Sequence, residues 1–155
     1  SLSWVTSNSV DLIVTSPPFL DKVDYVTDNW LECWFAGISP KTFSAQLVMC
    51  HSLEEWSQFI RQVLQEMLRV LKPEAHAVVE VGEVETPSGM IFLDEIVARE
   101  AEALKSPTKK FHVSEVLINQ QNFTKLANCF KVDNNRKGTN TNRLVVLKAV
   151  SRRRP

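Results

Sequence analysis

The residues predict an α/β domain in which crossover helices cover a largely parallel sheet. Three observations carry that prediction. Short β-branched apolar runs alternate with helix-periodic stretches, and the strongest helix lies between the first two runs. The last two runs follow one another without a helix between them, which makes them an antiparallel pair. With 155 residues, 44% of them apolar and 23% charged, the chain has the size of one globular domain around one core. That domain is assigned to residues 1–150, and the basic tail 151–155 is expected to be disordered.

Val10 to Val14 (VDLIV) is entered from the polar turn Ser7, Asn8, Ser9 and ended by Pro17-Pro18, so it reads as a buried strand. Asp24 to Gly37 is rich in aromatics at helical spacing and stops at Gly37; its Trp30 and Trp34, like Trp56 further on, are expected in the core. Between Leu53 and Leu71, apolar residues recur at three and four: Trp56, Phe59, Ile60, Val63, Leu64, Met67, Leu68 and Leu71. Ser52 and Glu55 make a capping box at the start of this helix, and Lys72-Pro73 closes its end. Ala75 to Val81 reads as a second buried strand with Gly82 turning after it.

A helix over Ile91 to Leu104 turns Leu93, Ile96, Val97, Ala101 and Leu104 inward, and Ser106-Pro107 with Lys109-Lys110 forms a loop. Phe111 to Ile118 alternates as a strand, Asn119 to Thr141 is polar and aperiodic, and Arg143 to Val150 returns as the last strand.

Composition excludes some classes. The 18 basic and 18 acidic residues give no overall basic surplus to advertise nucleic acid binding. Cys33, Cys50 and Cys129 are odd in number and widely spaced, which suggests neither a disulfide framework nor a CxxC-type metal site and fits a reducing compartment. His51, His76 and His112 are scattered and read as structural, so no metal is expected. No apolar run reaches the roughly 18 residues of a membrane span, the start lacks a secretory pattern, and a cytoplasmic location is expected.

The chemistry points to Thr15, Ser16, Pro17, Pro18, Phe19, which leave the carboxyl end of the first strand, where open α/β sheets bind ligands. Two successive prolines fix two φ angles and remove two N–H donors, so the carbonyls around them are rigid acceptors. An exocyclic base amine is a poor nucleophile because its lone pair is delocalised into the ring. A hydroxyl at the first position and the first proline's carbonyl can accept both amine hydrogens and turn the lone pair toward an incoming methyl group. An aromatic ring after the prolines offers a stacking face for a base swung out of its helix.

Ser16-Pro17-Pro18-Phe19 after DLIV resembles the catalytic motif of the N4-cytosine and N6-adenine amino-methyltransferases of DNA. The segments RVLKP (Arg69 to Pro73), AHAVVEVGE after it, and GTNTNRLVVLK (Gly138 to Lys148) are similar to the second half of modification-methylase-like proteins. The resemblance implies a Rossmann-like S-adenosylmethionine-dependent methyltransferase fold, with S-adenosyl-L-methionine as cofactor and DNA, presenting a flipped cytosine or adenine, as partner. It implies that Ser16 and the Pro17 carbonyl hold the target amine, Pro18 shapes the turn and Phe19 stacks on the base. Asp21 and Tyr25 would line the same pocket as substrate-binding residues, and Asn140, Asn142 and Arg143 mark a recurring loop-to-strand feature. Serine at the first motif position favours cytosine N4 over adenine N6.

A complete enzyme of this class also has a glycine-rich loop resembling FxGxG and an acidic residue for the cofactor's ribose. The chain holds four glycines and no such loop; Gly82 reads as a strand-ending turn. The sequence therefore predicts the catalytic-motif half of the fold without its cofactor-loop half, and the start at Ser1 rather than Met places the missing half upstream, although permuted orders also allow it downstream. The alternatives are an N6-adenine enzyme, an RNA or protein-glutamine N-methyltransferase, and a truncated domain that folds, as a homodimer, and binds a partner without turnover. Glu80 and Glu83 are read as a solvated sheet end that can also face the site.

Overall fold

A computed structural model describes residues 2–18, 20, 29–39, 48, 50–86, 89–120 and 141–152. In chain order the elements are β1 (Val10–Thr15), α1 (Trp30–Phe35), α2 (Leu53–Val70), β2 (Leu71–Val81), β3 (Glu83–Thr86), β4 (Gly89–Phe92), α3 (Leu93–Ala103), β5 (Lys109–Gln120) and β6 (Thr141–Ser151). Four strands form one sheet in the order β1-β2-β6-β5, and β3 with β4 forms a separate hairpin. β1 runs parallel to β2, as a strand returning through α2 must, while β2–β6 and β5–β6 are antiparallel. The expected antiparallel pairing of the last two strands is what the sheet has.

The apolar stripe of α2 that the periodicity marks is buried: Trp56, Ile60, Leu64, Met67 and Leu68 lie in one core cluster with Leu93, Ile96, Val97, Ala101 and Leu104 from α3 and its cap. The sheet meets them with one set of alternating residues, Ala77, Val79 and Val81 on β2 and Val145, Leu147 and Ala149 on β6. Each large apolar side chain removed from water here stabilises the fold by about 1.5–3 kcal/mol. The alternate set on β1 is treated differently: Leu12 and Val14 are 57% and 68% exposed. One face of the sheet is thus helix-covered while β1 shows apolar side chains on the other.

Lysine and arginine fasten the opposite end of β1. Asn8, in a left-handed turn at φ 56°, donates its amide to the Arg69 carbonyl (3.1 Å), and the Ser9 amide reaches the Val70 carbonyl (2.9 Å). These fill acceptors that the last turn of α2 leaves open. Lys109, 5% exposed, joins them through Asn8 Oδ1 at 2.7 Å and the Leu71 carbonyl. Its burial, with Arg69 nearby, pulls its ammonium below the ordinary lysine range.

Six expectations need correction. The sheet is mixed rather than largely parallel, with one parallel pairing and two antiparallel ones, because β6 enters between β2 and β5. The Val10–Val14 strand is half-buried to exposed rather than buried, since only one of its faces meets the core. Lys109-Lys110 opens β5 instead of lying in a loop, pairing with Val150 and Ser151. Trp30 and Trp34 are 60% and 69% exposed; α1 is six residues long, and Cys33 is its buried residue, so the two indoles, four apart, share an outward side. β2 begins at Leu71 rather than Ala75, because Lys72-Pro73 ends the helix and the chain passes straight into extended backbone. Pairing slips there: Val10 faces Leu71 but Leu12 already faces His76, and Glu74 sits at φ 69°. An irregular stretch of this kind is where a strand tolerates proline. Finally, the β3–β4 hairpin is absent from the sequence expectation, and it takes Ile91 out of the helix, which starts at Leu93. The residues Asp24 to Asp28 of the first expected helix and 121–140 of the polar stretch lie outside the described residues. At the C-terminus, Ser151 closes β6 and the Arg152 amide donates to the Thr108 carbonyl (2.8 Å); 153–155 lie outside the described residues.

Candidate active site

The Ser-Pro-Pro turn leaves β1 at its carboxyl end, one residue after Thr15, whose register partner is Val79 on the neighbouring strand. Ser16 is exposed, Pro17 buried and Pro18 half-buried, so the turn is anchored in the protein through its first proline while Ser16 is open to solvent. Glu80, half-buried, is the next residue of β2 past Val79 and lies at the same end of the sheet as Ser16. Phe19, Asp21 and Tyr25 lie outside the described residues, as does Asn140.

The turn is held from below by α2. Trp56, 1% exposed, donates its indole N–H to the Pro18 carbonyl at 2.9 Å. A buried indole needs such an acceptor, and a carbonyl beside two donor-less prolines is available to it. Sequence periodicity places Trp56 in the core and is right, but it is silent about where the N–H points. The helix end that carries Trp56 is itself pinned. Ser52 Oγ accepts the Glu55 amide (3.2 Å), and the Glu55 carboxylate accepts the His51 amide (2.9 Å), one residue before the position a capping box requires. Ser57 donates to Glu100 of α3 at 2.8 Å, and Arg61 donates to the other oxygen of the same carboxylate at 2.7 Å. Burial would raise the Glu100 carboxyl, but the hydrogen bonds from Arg61 and Ser57 outweigh it and hold the group below the usual range.

Arg143 belongs to a second cluster at this end of the sheet. It faces Val81 across the β2–β6 ladder, and its guanidinium lies 4.3 Å from the Phe92 ring centroid. Its nitrogens reach Asp94 at 3.4 Å and Glu83 at 3.5 Å, joining β6 to the start of α3 and to the hairpin. Asp94 Oδ1 and Arg143 Nε have no hydrogen-bond partner. Glu83 thus serves this clasp rather than the Ser16 turn, and Asn142 sits opposite Asn119 in the β5–β6 ladder. Among the described residues no group of three or more His, Cys, Asp or Glu stands together as a metal site. None of the described helices is long and apolar enough to cross a membrane.

The DNA methylase family model matches residues 10–147, which takes in the Ser-Pro-Pro turn, β1, β2, β5 and most of β6. The chain belongs to the DNA methylase family. Solved structures of methylases share its fold at low identity. The cytosine-N4-specific PvuII DNA methyltransferase is 17% identical with a TM-score of 0.56, over 95% of this chain and 45% of that one. TTHA0409, a DNA modification methylase candidate of Thermus thermophilus solved in complex with S-adenosyl-L-methionine, is 15% identical with a TM-score of 0.53, over 99% of this chain and 51% of that one. The chain therefore spans about half the length of the methylase structures it matches. A search of curated proteins found no match.

The glycines of this methylase chain do not fit a cradle for the cofactor's methionine end. Gly37, at φ 65°, ends α1; Gly82 ends β2, its carbonyl accepting the Leu93 amide (3.3 Å); Gly89, at φ 127°, turns the hairpin. Each is explained by its turn, and Gly138, outside the described residues, has no glycine two positions away. Among the described residues β1 pairs only with β2, and its outer edge borders an apolar groove of about 730 Å³ lined by Val10, Ile13, Phe59, Val63 and Met67 among others.

Proposed function

We propose that this chain supplies the acceptor side of an S-adenosylmethionine-dependent methylation of an exocyclic amine in DNA, with N4 of cytosine as the target. The observation that carries the reading is the Ser16-Pro17-Pro18 turn at the carboxyl end of β1, in a chain of the DNA methylase family. Ser16 Oγ and the Pro17 carbonyl accept the two hydrogens of the amine, and the lone pair is left facing the donor. The hydrogen bond found at the turn goes to the Pro18 carbonyl, so it does not compete with the Pro17 carbonyl for the amine. Phe19 stacks on the flipped base, and Asp21 and Tyr25 line its pocket. Serine at the first motif position favours cytosine over adenine.

The methyl donor needs a glycine-rich turn that these residues do not provide. Among the described residues the outer edge of β1 has no strand partner, and that edge with the groove beside it leaves room for a further strand that would carry one. The test is a single-turnover assay with excess protein, millimolar methyl-labelled S-adenosylmethionine and unmethylated duplex DNA, followed by digestion to nucleosides. The expected product is N4-methylcytosine, with the rate lowered about a hundredfold in Ser16→Ala. Label in N6-methyladenine reassigns the base. Label only in RNA or protein, or a Ser16→Ala rate equal to the parent's, overturns the reading.

A further inference from the structure

The Ser-Pro-Pro turn has few ways to move, and those ways can be counted. Each proline ring fixes its own φ near −65°, so φ is set at Pro17 and Pro18. Ser16 and Pro17 each precede a proline, which confines their ψ to the extended region. Ser16 follows directly on paired strand, where Thr15 faces Val79. The torsion that neither ring nor neighbour restricts is ψ of Pro18, which sets the direction of the Pro18 carbonyl and of the chain that leaves toward residue 19. That carbonyl is the group the Trp56 indole holds at 2.9 Å, from a side chain 1% exposed and 38 residues away in sequence.

We propose that Trp56 is a positioning residue of the methyl-acceptor site: its indole N–H holds the Pro18 carbonyl and so fixes the carboxyl end of the Ser16-Pro17-Pro18 turn. This inference rests on the reading of the turn as the amine-holding element. The geometry around Trp56 is suited to the task. Ser52 caps the first turn of its helix, and the next residue, Ser57, is tied with Arg61 to the buried Glu100 of α3. The donor therefore stands on two packed helices rather than on a loop.

Trp56→Phe keeps most of the bulk and removes the N–H; replacement of Trp56 by 3-benzothienylalanine keeps the full bicyclic shape without the donor and serves if the phenylalanine variant does not fold. Two readouts are taken on each. In the isotope-labelled chain, loss of the bond moves the Pro18 carbonyl ¹³C resonance upfield. In the single-turnover assay at a fixed millimolar S-adenosylmethionine concentration, the methyl-transfer rate at saturating DNA falls at least tenfold while the half-saturating concentration of DNA is unchanged, because misplacement of a reacting group by a fraction of an ångström to an ångström costs up to about a hundredfold. An unmoved Pro18 resonance in a folded variant overturns the inference, as does an unchanged rate. If the parent chain methylates no DNA, the proposed function falls and the Pro18 resonance alone decides whether Trp56 holds the turn.

Discussion

Glu100→Gln tests the lock beneath the active-site turn. The Glu100 side chain is 4% exposed and accepts from Ser57 at 2.8 Å and from Arg61 at 2.7 Å. Glutamine keeps one acceptor for Arg61 and can donate to the Ser57 hydroxyl, so both contacts survive without the carboxylate's charge, while Arg99, at 3.4 Å from the oxygen that becomes the amide nitrogen, loses its acceptor. Charge-assisted bonds are about twice as strong as neutral ones, and a hydrogen bond to a charged group contributes about 1.5–3 kcal/mol. The cost of the substitution is therefore about 2 kcal/mol at pH 7, a Tm fall of roughly 4–8 °C for a domain of this size. The pH dependence gives the sign. The folded Glu100 carboxyl lies below its unfolded value of about 4.3, so its contribution is fully present above that value and is lost as the pH falls through the folded one. Urea unfolding of both proteins at pH 7 and at pH 3.5 should show the difference shrinking in acid. A difference below about 0.5 kcal/mol at pH 7, or one that is equal at the two pH values, refutes the reasoning.

Two further outcomes are expected. Arg143→Leu leaves the carboxylates of Asp94 and Glu83 facing a site without its cation and should destabilise the fold by about 2–3 kcal/mol in thermal unfolding, less than a close buried pair because its contacts are 3.4 and 3.5 Å long; Arg143→Lys should recover little, since the planar group over Phe92 is lost. Lys72→Ala removes an ion pair to Asp11 in which both side chains are largely exposed, and urea midpoints should shift by less than the equivalent of about 0.5 kcal/mol.

Much of the fold is legible in the sequence because burial imposes period. The stripe from Trp56 to Leu68 and the set Leu93, Ile96, Val97, Ala101 and Leu104 stand out at three- and four-residue spacing, and all but the groove-side Phe59 and Val63 are buried. What escapes depends on partners far away in sequence. Trp30 and Trp34 have helical spacing, yet spacing cannot say whether a six-residue helix has anything to pack against, and here both indoles are exposed. The short β3–β4 hairpin leaves too few residues for a period of two to stand out from the helix after it. At the site, the Ser16-Pro17-Pro18 turn is visible as a motif because its chemistry is local. The Trp56 hydrogen bond and the Arg143 clasp span 38 to 60 residues and carry no local signature.

On the function proposed, the chain holds the acceptor side of a methyl-transfer site, its sequence has no glycine-rich loop, and its described residues form no cradle for the donor. Calorimetric titration of the folded chain with S-adenosylhomocysteine, the product form of the cofactor, tests that claim most directly. The predicted result is binding weaker than about 1 mM, equivalent to less than about 4 kcal/mol; binding in the micromolar range, about 8 kcal/mol, would contradict it and locate a donor site among residues that otherwise serve the core and its turns.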